Sequence, residues 1–138
     1  MEAGRRVEIP AAVQKIGWIG LGGFLGANAR YWLGVWIQQR WGPQFPWATF
    51  CINITGAFAL GFLASFLSGR FATPPDGPLR LAVAVGFLGA YTTFSTYELE
   101  IWNLATQRGG WWPWAYGLGS VAVGFAAVVF GFWLGRRV

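Results

Sequence analysis

The stretch GFLGAYTTFSTYELE, residues 86–100, decides the fold predicted for this chain. It lies in an apolar region, yet every residue from 91 to 97 except Phe94 carries a hydroxyl group. A lipid-facing helix has no use for such a run, because a polar group in hydrocarbon needs a partner. Non-helical backbone at membrane depth is tolerated where it is buried in protein or lines a cavity. The run therefore predicts a backbone that leaves helical geometry and lines a narrow polar path.

The composition around this stretch indicates an integral membrane protein. The 138 residues are 55% hydrophobic and only 11% charged, with a mean hydropathy of +0.45, whereas a soluble domain has about 25% charged residues. Windows without an acid or base, near 41–69, 81–97 and 109–135, reach the roughly 18–20 residues that cross hydrocarbon. The net charge of +5 comes from Lys and Arg near the ends of the apolar runs, where Trp residues also gather as an aromatic belt. The positive charge therefore indicates a bilayer partner and no nucleic acid.

The side chains that most enzymes need are missing. The chain has no histidine, and its single cysteine, Cys51, cannot form a disulfide within the chain. The one close pair of acids is Glu98 and Glu100. The sequence therefore does not predict an enzyme.

The hydrophobic pattern predicts a single all-α domain of four transmembrane helices. An Ala27-Asn28-Ala29 motif resembles a signal-peptidase site, but the apolar run continues past it to Ile37, which favours a first helix over a signal peptide. The third helix is some 29 residues long, more than one straight span needs, so we predict two half-helices around a break near its middle. The predicted helices cover residues 14–38, 46–68, 79–107 and 113–135.

Two polar residues fall inside predicted helices. Arg30 is either a snorkelling side chain that reaches the headgroups or a cation at the mouth of an anion path. Asn53 lies one turn after Thr49, and an unpaired amide at that depth costs a few kcal/mol. Asn53 therefore either bonds a neighbouring helix or faces a water-filled cavity.

The polar residues at membrane depth favour a small anion over a cation, because uncharged amide and hydroxyl groups donate hydrogen bonds without trapping the ion. Aromatic ring edges carry the positive part of the ring quadrupole, so Phe94, with Phe58 or Phe62, is a candidate to point C–H groups at an anion. The alternative is that the hydroxyls only join helices, at about 0.6 kcal/mol per bond. The uncharged donors are Asn53, Thr92, Thr93, Ser95, Thr96 and Ser120.

Three motifs resemble those of the Fluc family of fluoride channels, also called CrcB. They are GGFLGANARY at 22–31, P-x-x-T-x-x-x-N-x-x-G at 46–56 and GFLGAYTTFST at 86–96. One motif lies on each of the first three predicted helices, in the family's order, and the resemblance spans nearly the whole chain.

The resemblance implies a passive channel of the bacterial inner membrane that exports fluoride and confers resistance to it. It implies an antiparallel, dual-topology dimer with two pores, and a structural sodium ion on the dimer axis held by backbone carbonyls of Gly89 and Thr92. The anion pathway it implies comprises Arg30, Thr49, Asn53, Phe94, Ser95, Thr96, Tyr97, Glu100 and Ser120.

The chain departs from the family pattern in two ways. The second ring of the family's phenylalanine pair is Tyr97 here. The cations also favour an orientation with the N-terminus in the cytoplasm, whereas a dual-topology protein is nearly balanced. The partner is therefore either a second copy or an inverted homologue. The cytoplasmic side would hold Arg5, Arg6, Lys15, Arg70, Arg80, Arg136 and Arg137, and the other side Arg40 and Arg108.

Two further functions are alternatives. A small multidrug-resistance transporter also has four helices, but it needs an acid on the first helix, where this chain has Arg30 and no acid. The other alternative is a non-transporting assembly subunit, in which glycines and hydroxyls only pack helices.

Overall fold

The structure is a computed structural model that describes residues 9–70, 74 and 76–138. Every regular element in these residues is helical, as predicted. Three long helices are α1 (Ile9–Trp41), α2 (Trp47–Arg70) and α4 (Trp112–Gly135). The third span has two halves. The first half, α3a, is a π-helical segment (Arg80–Leu88) followed by one α-helical turn (Gly89–Tyr91), and the second half, α3b, is Phe94–Gln107.

Helix α1 is longer at both ends than the predicted 14–38. It begins at Ile9, with Pro10 in its first turn, where a missing N–H costs nothing and the fixed φ suits a helix. The other three spans lie close to their predicted bounds. The predicted cytoplasmic cations Arg5 and Arg6, and part of the loop predicted between the second and third helices, lie outside the described residues.

Glycines in left-handed conformation end two of the helices. Gly42 follows α1 with φ 76°, and Gly109 and Gly110 follow α3b with φ 64° and 65°, a region that other residues seldom adopt. The N–H of Gly109 donates to the Leu104 carbonyl over 2.9 Å, which satisfies a carbonyl at the helix end. These turns reverse the chain between neighbouring spans.

The helices pack as two close pairs, α1 with α3a and α2 with α4. Glycines bring the backbones together in both pairs. A Cβ at Gly22 would overlap the Ala82 carbonyl, and one at Gly26 would overlap the Phe87 carbonyl. In the second pair, Gly61 lies against Val128, and Gly131 against Phe58 in the same way.

The glycines that recur every seven residues along α4 meet two different neighbours. Gly131 and Gly124 face α2, where Gly124 approaches Ile54, whereas Gly117 faces Ile101 of α3b. Gly124 and Gly131 thus allow α4 to pack closely on α2, and Gly117 lets it approach α3b.

Two of the described helices are long and apolar enough to cross a membrane, Trp47–Ser68 and Trp112–Gly135. The side chains of α4 that face away from the protein are large and apolar, for example Leu118, 68% exposed, and Phe125, 70% exposed. Such a face is unfavourable in water and suited to lipid or a protein partner. Lys15, Arg30 and Arg40 interrupt the apolar sequence of α1, and the break divides the third span into pieces shorter than a bilayer.

A salt bridge outside the apolar region links α1 to the turn that precedes α3a. Lys15 Nζ lies 2.7 Å from Asp76 Oδ2. The hydrogen bond from Lys15 holds the pKa of the Asp76 carboxyl below its usual range. The bridge is exposed, so it orients the turn more than it stabilises the fold.

Candidate functional site at the break in the third span

The backbone of the third span is extended at two threonines. Thr92 has φ −83° and ψ 159°, and Thr93 has φ −148° and ψ 123°. The Thr93 hydroxyl oxygen accepts a bond from the Thr96 N–H over 3.3 Å and donates to the Thr96 hydroxyl over 3.0 Å. A threonine that bonds the N–H three residues later is a helix N-cap, so the sequence itself starts α3b at this point.

The Asn53 amide holds the extended backbone from α2. Its Nδ2 donates to the Thr93 carbonyl over 3.0 Å, and its Oδ1 accepts from the Thr93 N–H over 2.9 Å. One side-chain amide thus satisfies both polar groups of a residue that the helix no longer pairs, as membrane depth requires. The sequence left two roles open for Asn53, a bond to a neighbouring helix or a position facing a water-filled cavity. The described contacts include the first, a bond to the third span.

Among the carbonyls before the break are those of Gly89 and Thr92, which have lost their usual helical donors. In a continuous helix the N–H of residue 93 would bond the carbonyl of Gly89, and that of residue 96 would bond the carbonyl of Thr92. Here the Thr93 N–H donates to Asn53, and the Thr96 N–H donates to the Thr93 hydroxyl. The carbonyls of Gly89 and Thr92 are therefore released for other partners.

Gly56 of α2 makes room for the break. A Cβ at this position would overlap the Thr92 methyl group and lie 3.3 Å from the Tyr91 ring. Tyr91 is buried, and its hydroxyl lies 2.9 Å from the Thr55 hydroxyl. The glycine of the motif T-x-x-x-N-x-x-G is thus required for steric reasons, because a larger residue would push α3a away from Asn53.

A cavity of about 420 Å³ opens beside the break, between α2, the two halves of the third span and α4. Among the described residues around it there is no acidic or basic side chain. Most of its lining is apolar, and the remainder consists of an amide, hydroxyls and two aromatic rings. The residues that carry these groups are Asn53, Thr92, Thr93, Phe94, Tyr97 and Ser120.

The two rings at this cavity differ in their surroundings. Phe94 is 74% exposed, whereas Tyr97 is only 8% exposed, with ring centroids 6.0 Å apart. The Tyr97 hydroxyl donates to the Gly117 carbonyl of α4 over 2.7 Å. Its only O–H is therefore occupied, and Tyr97 presents its ring to the cavity.

Ser120 contributes an unused hydroxyl. Its Oγ is buried and has no hydrogen-bond partner among the described residues, although the residue lines the cavity. Buried hydroxyls without partners are uncommon, and each calls for an explanation. An ion or water in the cavity would supply the missing partner.

A second polar cluster joins three elements one turn further along α3b. Glu100 accepts a bond from the Thr49 hydroxyl of α2 over 2.7 Å and another from the Tyr116 hydroxyl of α4 over 2.6 Å. Tyr116 is the most deeply buried large side chain described, 1% exposed. Sequence reasoning did not assign Tyr116 to the site, although it precedes Ser120 by four residues and so shares its helix face.

Glu100 also borders a second cavity of about 630 Å³ at the end of the protein where α1 and α3b finish. Its lining is rich in amides and includes Gln38, Gln44, Asn103, Gln107 and Arg108. Helix α3b therefore passes from the first cavity, at Phe94 and Tyr97, to the second, at Glu100 and Arg108.

The remaining predicted residues lie apart from the two cavities. Ser95 and Thr96 are exposed at the start of α3b, and Arg30 is half-buried on α1. None of the three lines either cavity. Phe58 and Phe62 stack on each other, with Phe58 also against Phe130 of α4, so the prediction that one of them faces the path with Phe94 has no counterpart in the cavity lining.

The chain is similar to a group of known proteins over nearly its whole length. It matches the family described as CrcB-like protein, Camphor Resistance (CrcB), over residues 17–132. A relative from Acidobacterium capsulatum is 44% identical over 121 residues, which are 88% of this chain and 95% of the relative. One from Solibacter usitatus is 46% identical over 119 residues, or 86% and 96% of the two chains.

A third relative, from Chloroflexus aurantiacus, is 42% identical over 119 residues, which are 86% of this chain and 92% of the relative. All three relatives are named Fluoride-specific ion channel FluC. Because the family match includes every residue that forms the break and lines the two cavities, the chain belongs to the CrcB family.

Proposed function

We propose that this chain forms a passive, fluoride-selective channel of the bacterial inner membrane, which exports fluoride and confers resistance to it. The three relatives described above, which bear the name of a fluoride-specific channel, match over 92% or more of their own lengths. The structural observation that carries the proposal is the cavity at the break, whose described lining offers amide, hydroxyl and ring groups and no fixed charge.

The chemistry of this lining suits a small anion that must enter and leave quickly. Conduction requires sites that bind strongly enough for entry and weakly enough for release. The free Ser120 hydroxyl, the second N–H of the Asn53 amide and the positive edge of the Phe94 ring are such weak donors. A buried cation in their place would hold the ion too tightly.

The proposed path runs along α3b. It begins at Asn53, Phe94, Tyr97 and Ser120, and continues to Glu100 with its partner Thr49. The hydroxyls that hold Glu100 shield its negative charge, so an anion could pass close to it. Arg30, Ser95 and Thr96 remain part of the proposal as groups that a second chain would bring to the path.

A second copy in inverted orientation, or an inverted homologue, is the proposed partner. The 74% exposed Phe94 ring borders the cavity in a single chain, and a partner would cover it. The described cations are unequal at the two ends, because Lys15, Arg80, Arg136 and Arg137 lie at one end and Arg40 and Arg108 at the other. Fluoride efflux from vesicles that contain only this purified protein would favour a second copy as the partner over an inverted homologue.

A structural sodium ion at the dimer axis completes the proposal. The Gly89 and Thr92 carbonyls fit it, because both have lost their helical N–H donors and freed carbonyls at a helix break are suitable cation ligands. Space around the Gly89 Cα is open, since a Cβ there would meet nothing within 4 Å. When bound, such an ion would supply positive charge where two break segments meet.

The test is ion efflux from vesicles that contain the purified protein. Vesicles loaded with potassium fluoride should release fluoride when a potassium ionophore balances the charge, as a fluoride electrode detects. Vesicles loaded with potassium chloride should retain chloride under the same conditions. Equal chloride efflux would overturn the selectivity, and no efflux of either ion would favour the non-transporting assembly subunit.

A further inference from the structure

The described lining of the second cavity includes a cation, Arg108, that the proposed path does not use. Arg108 lies directly after α3b and lines the cavity. Its Nη1 donates to the Gln44 carbonyl over 3.0 Å, and its guanidinium carbon lies 4.1 Å from the centroid of the Trp112 ring. One hydrogen bond and a cation–π contact thus hold the charge at a defined position, while most of its N–H donors stay available.

The other charged group of this cavity, the Glu100 carboxylate, is already hydrogen-bonded. Both oxygens of Glu100 accept hydrogen bonds from hydroxyls, whereas no acid bonds Arg108 among the described residues. Eight residues separate Glu100 from Arg108, about 12 Å along a helix. The cation is therefore at the outer end of α3b and the shielded carboxylate is nearer the break.

Resting on the function proposed above, we propose that this cavity is an anion-collecting entrance to the channel and that Arg108 raises the local concentration of small anions in it. The amides of Gln38, Gln44, Asn103 and Gln107 provide uncharged hydrogen-bonding walls around the charge. The entrance attracts monovalent anions in general, and selection among them takes place at the cavity beside the break.

The size of the effect follows from Coulomb's law. A unit charge about 6 Å from an anion in water raises the local anion concentration about threefold. Salt removes this attraction, because the Debye length falls from about 30 Å at 0.01 M to about 3 Å at 1 M. Loss of the charge should therefore slow fluoride entry about threefold in dilute salt and very little in concentrated salt.

The experiment compares Arg108→Gln with wild type in vesicles of neutral phosphatidylcholine, with fluoride efflux measured in about 0.01 M and about 1 M of an impermeant organic potassium salt. We expect Arg108→Gln to be about threefold slower in the dilute salt and nearly equal to wild type in the concentrated salt. Arg40→Gln is the matched control, because Arg40 lies at the same end of the protein, over the Trp36 ring, and does not line the cavity. Its efflux should match wild type at both salt concentrations.

Arg108→Lys distinguishes the effect of the positive charge from that of the local contacts, because it keeps the cation and alters the contacts to Gln44 and Trp112. It should retain wild-type efflux and wild-type salt dependence. A slowing of Arg108→Gln that is the same at both salt concentrations, an equal slowing in Arg40→Gln, or failure of Arg108→Lys to restore efflux would each overturn the proposal while the channel function stands. Absence of fluoride efflux from wild type would overturn the function and the entrance together.

Discussion

Replacing Tyr97 with phenylalanine tests what the second ring contributes to the ion path. The change removes the hydroxyl that donates to the Gly117 carbonyl over 2.7 Å and leaves a ring that is 8% exposed. The O–H is already occupied, so an anion near Tyr97 would meet only the oxygen lone pairs and the ring edge. We therefore expect fluoride efflux from Tyr97→Phe to stay within about twofold of wild type, because no donor to the anion is lost.

The same change should lower stability by a small, definite amount. Hydrogen bonds between membrane helices average about 0.6 kcal/mol and reach about 1.7 kcal/mol. For a chain of this length, 0.6 kcal/mol corresponds to a fall of about 2 °C in the melting temperature. Thermal unfolding in detergent, followed by tryptophan fluorescence, measures this shift, and the vesicle assay measures efflux on the same preparation.

Tyr91→Phe is the matched control for this prediction. Tyr91 is 9% exposed, its hydroxyl lies 2.9 Å from the Thr55 hydroxyl, and it does not line the cavity at the break. Both variants should lose similar stability and keep similar efflux. A tenfold loss of efflux, about 1.4 kcal/mol of barrier, in Tyr97→Phe but not in Tyr91→Phe would refute the reasoning, because it would make the phenol oxygen part of the path.

Three further substitutions separate the roles of groups at the break. Gly56→Ala should lower the melting temperature and abolish fluoride efflux, because its Cβ would overlap the Thr92 methyl and overpacking typically costs about 1–3 kcal/mol. Wild-type efflux from this variant would exclude the steric role of Gly56. Ser120→Ala should keep or raise the melting temperature, because it removes a buried hydroxyl that has no described partner. The same change should slow fluoride efflux, and unchanged efflux would remove Ser120 from the path. Asn53→Asp should nearly abolish fluoride efflux, because a carboxylate would face the Thr93 carbonyl and carry negative charge in an anion path; undiminished efflux at neutral pH would contradict both arguments.

The sequence supported the helical class and the number of spans, because long apolar windows and loop glycines are local signals. It also predicted that Asn53 needs a partner, since an amide at membrane depth is costly when unpaired. It could not identify Thr93 as that partner, because the pairing depends on how α2 crosses the third span. Tyr116 was missed for the same reason, as its bond to Glu100 requires α4 and α3b to meet at one height.

The glycines of the third span do not cause its break. Gly86 and Gly89 precede the hydroxyl run, but neither is the origin of the non-helical backbone. Gly86 instead packs against the Ile19 carbonyl of α1, where an added Cβ would lie at 2.6 Å. Gly89 has the helical dihedral angles φ −63° and ψ −36°, and the backbone becomes extended only at Thr92 and Thr93.

The break is therefore created by competition for hydrogen bonds and not by a residue that cannot be helical. Threonine and asparagine side chains can replace the bonds of a helix, and here Thr93 bonds the Thr96 N–H while Asn53 bonds the Thr93 N–H. Each replacement releases one carbonyl, at Thr92 and at Gly89 respectively. The groups that hold the break thus also generate the candidate cation ligands, and a substitution that removed either replacement would let the helix close and reclaim its carbonyl. The position of the break and the composition of the site are consequently set by the same two side chains.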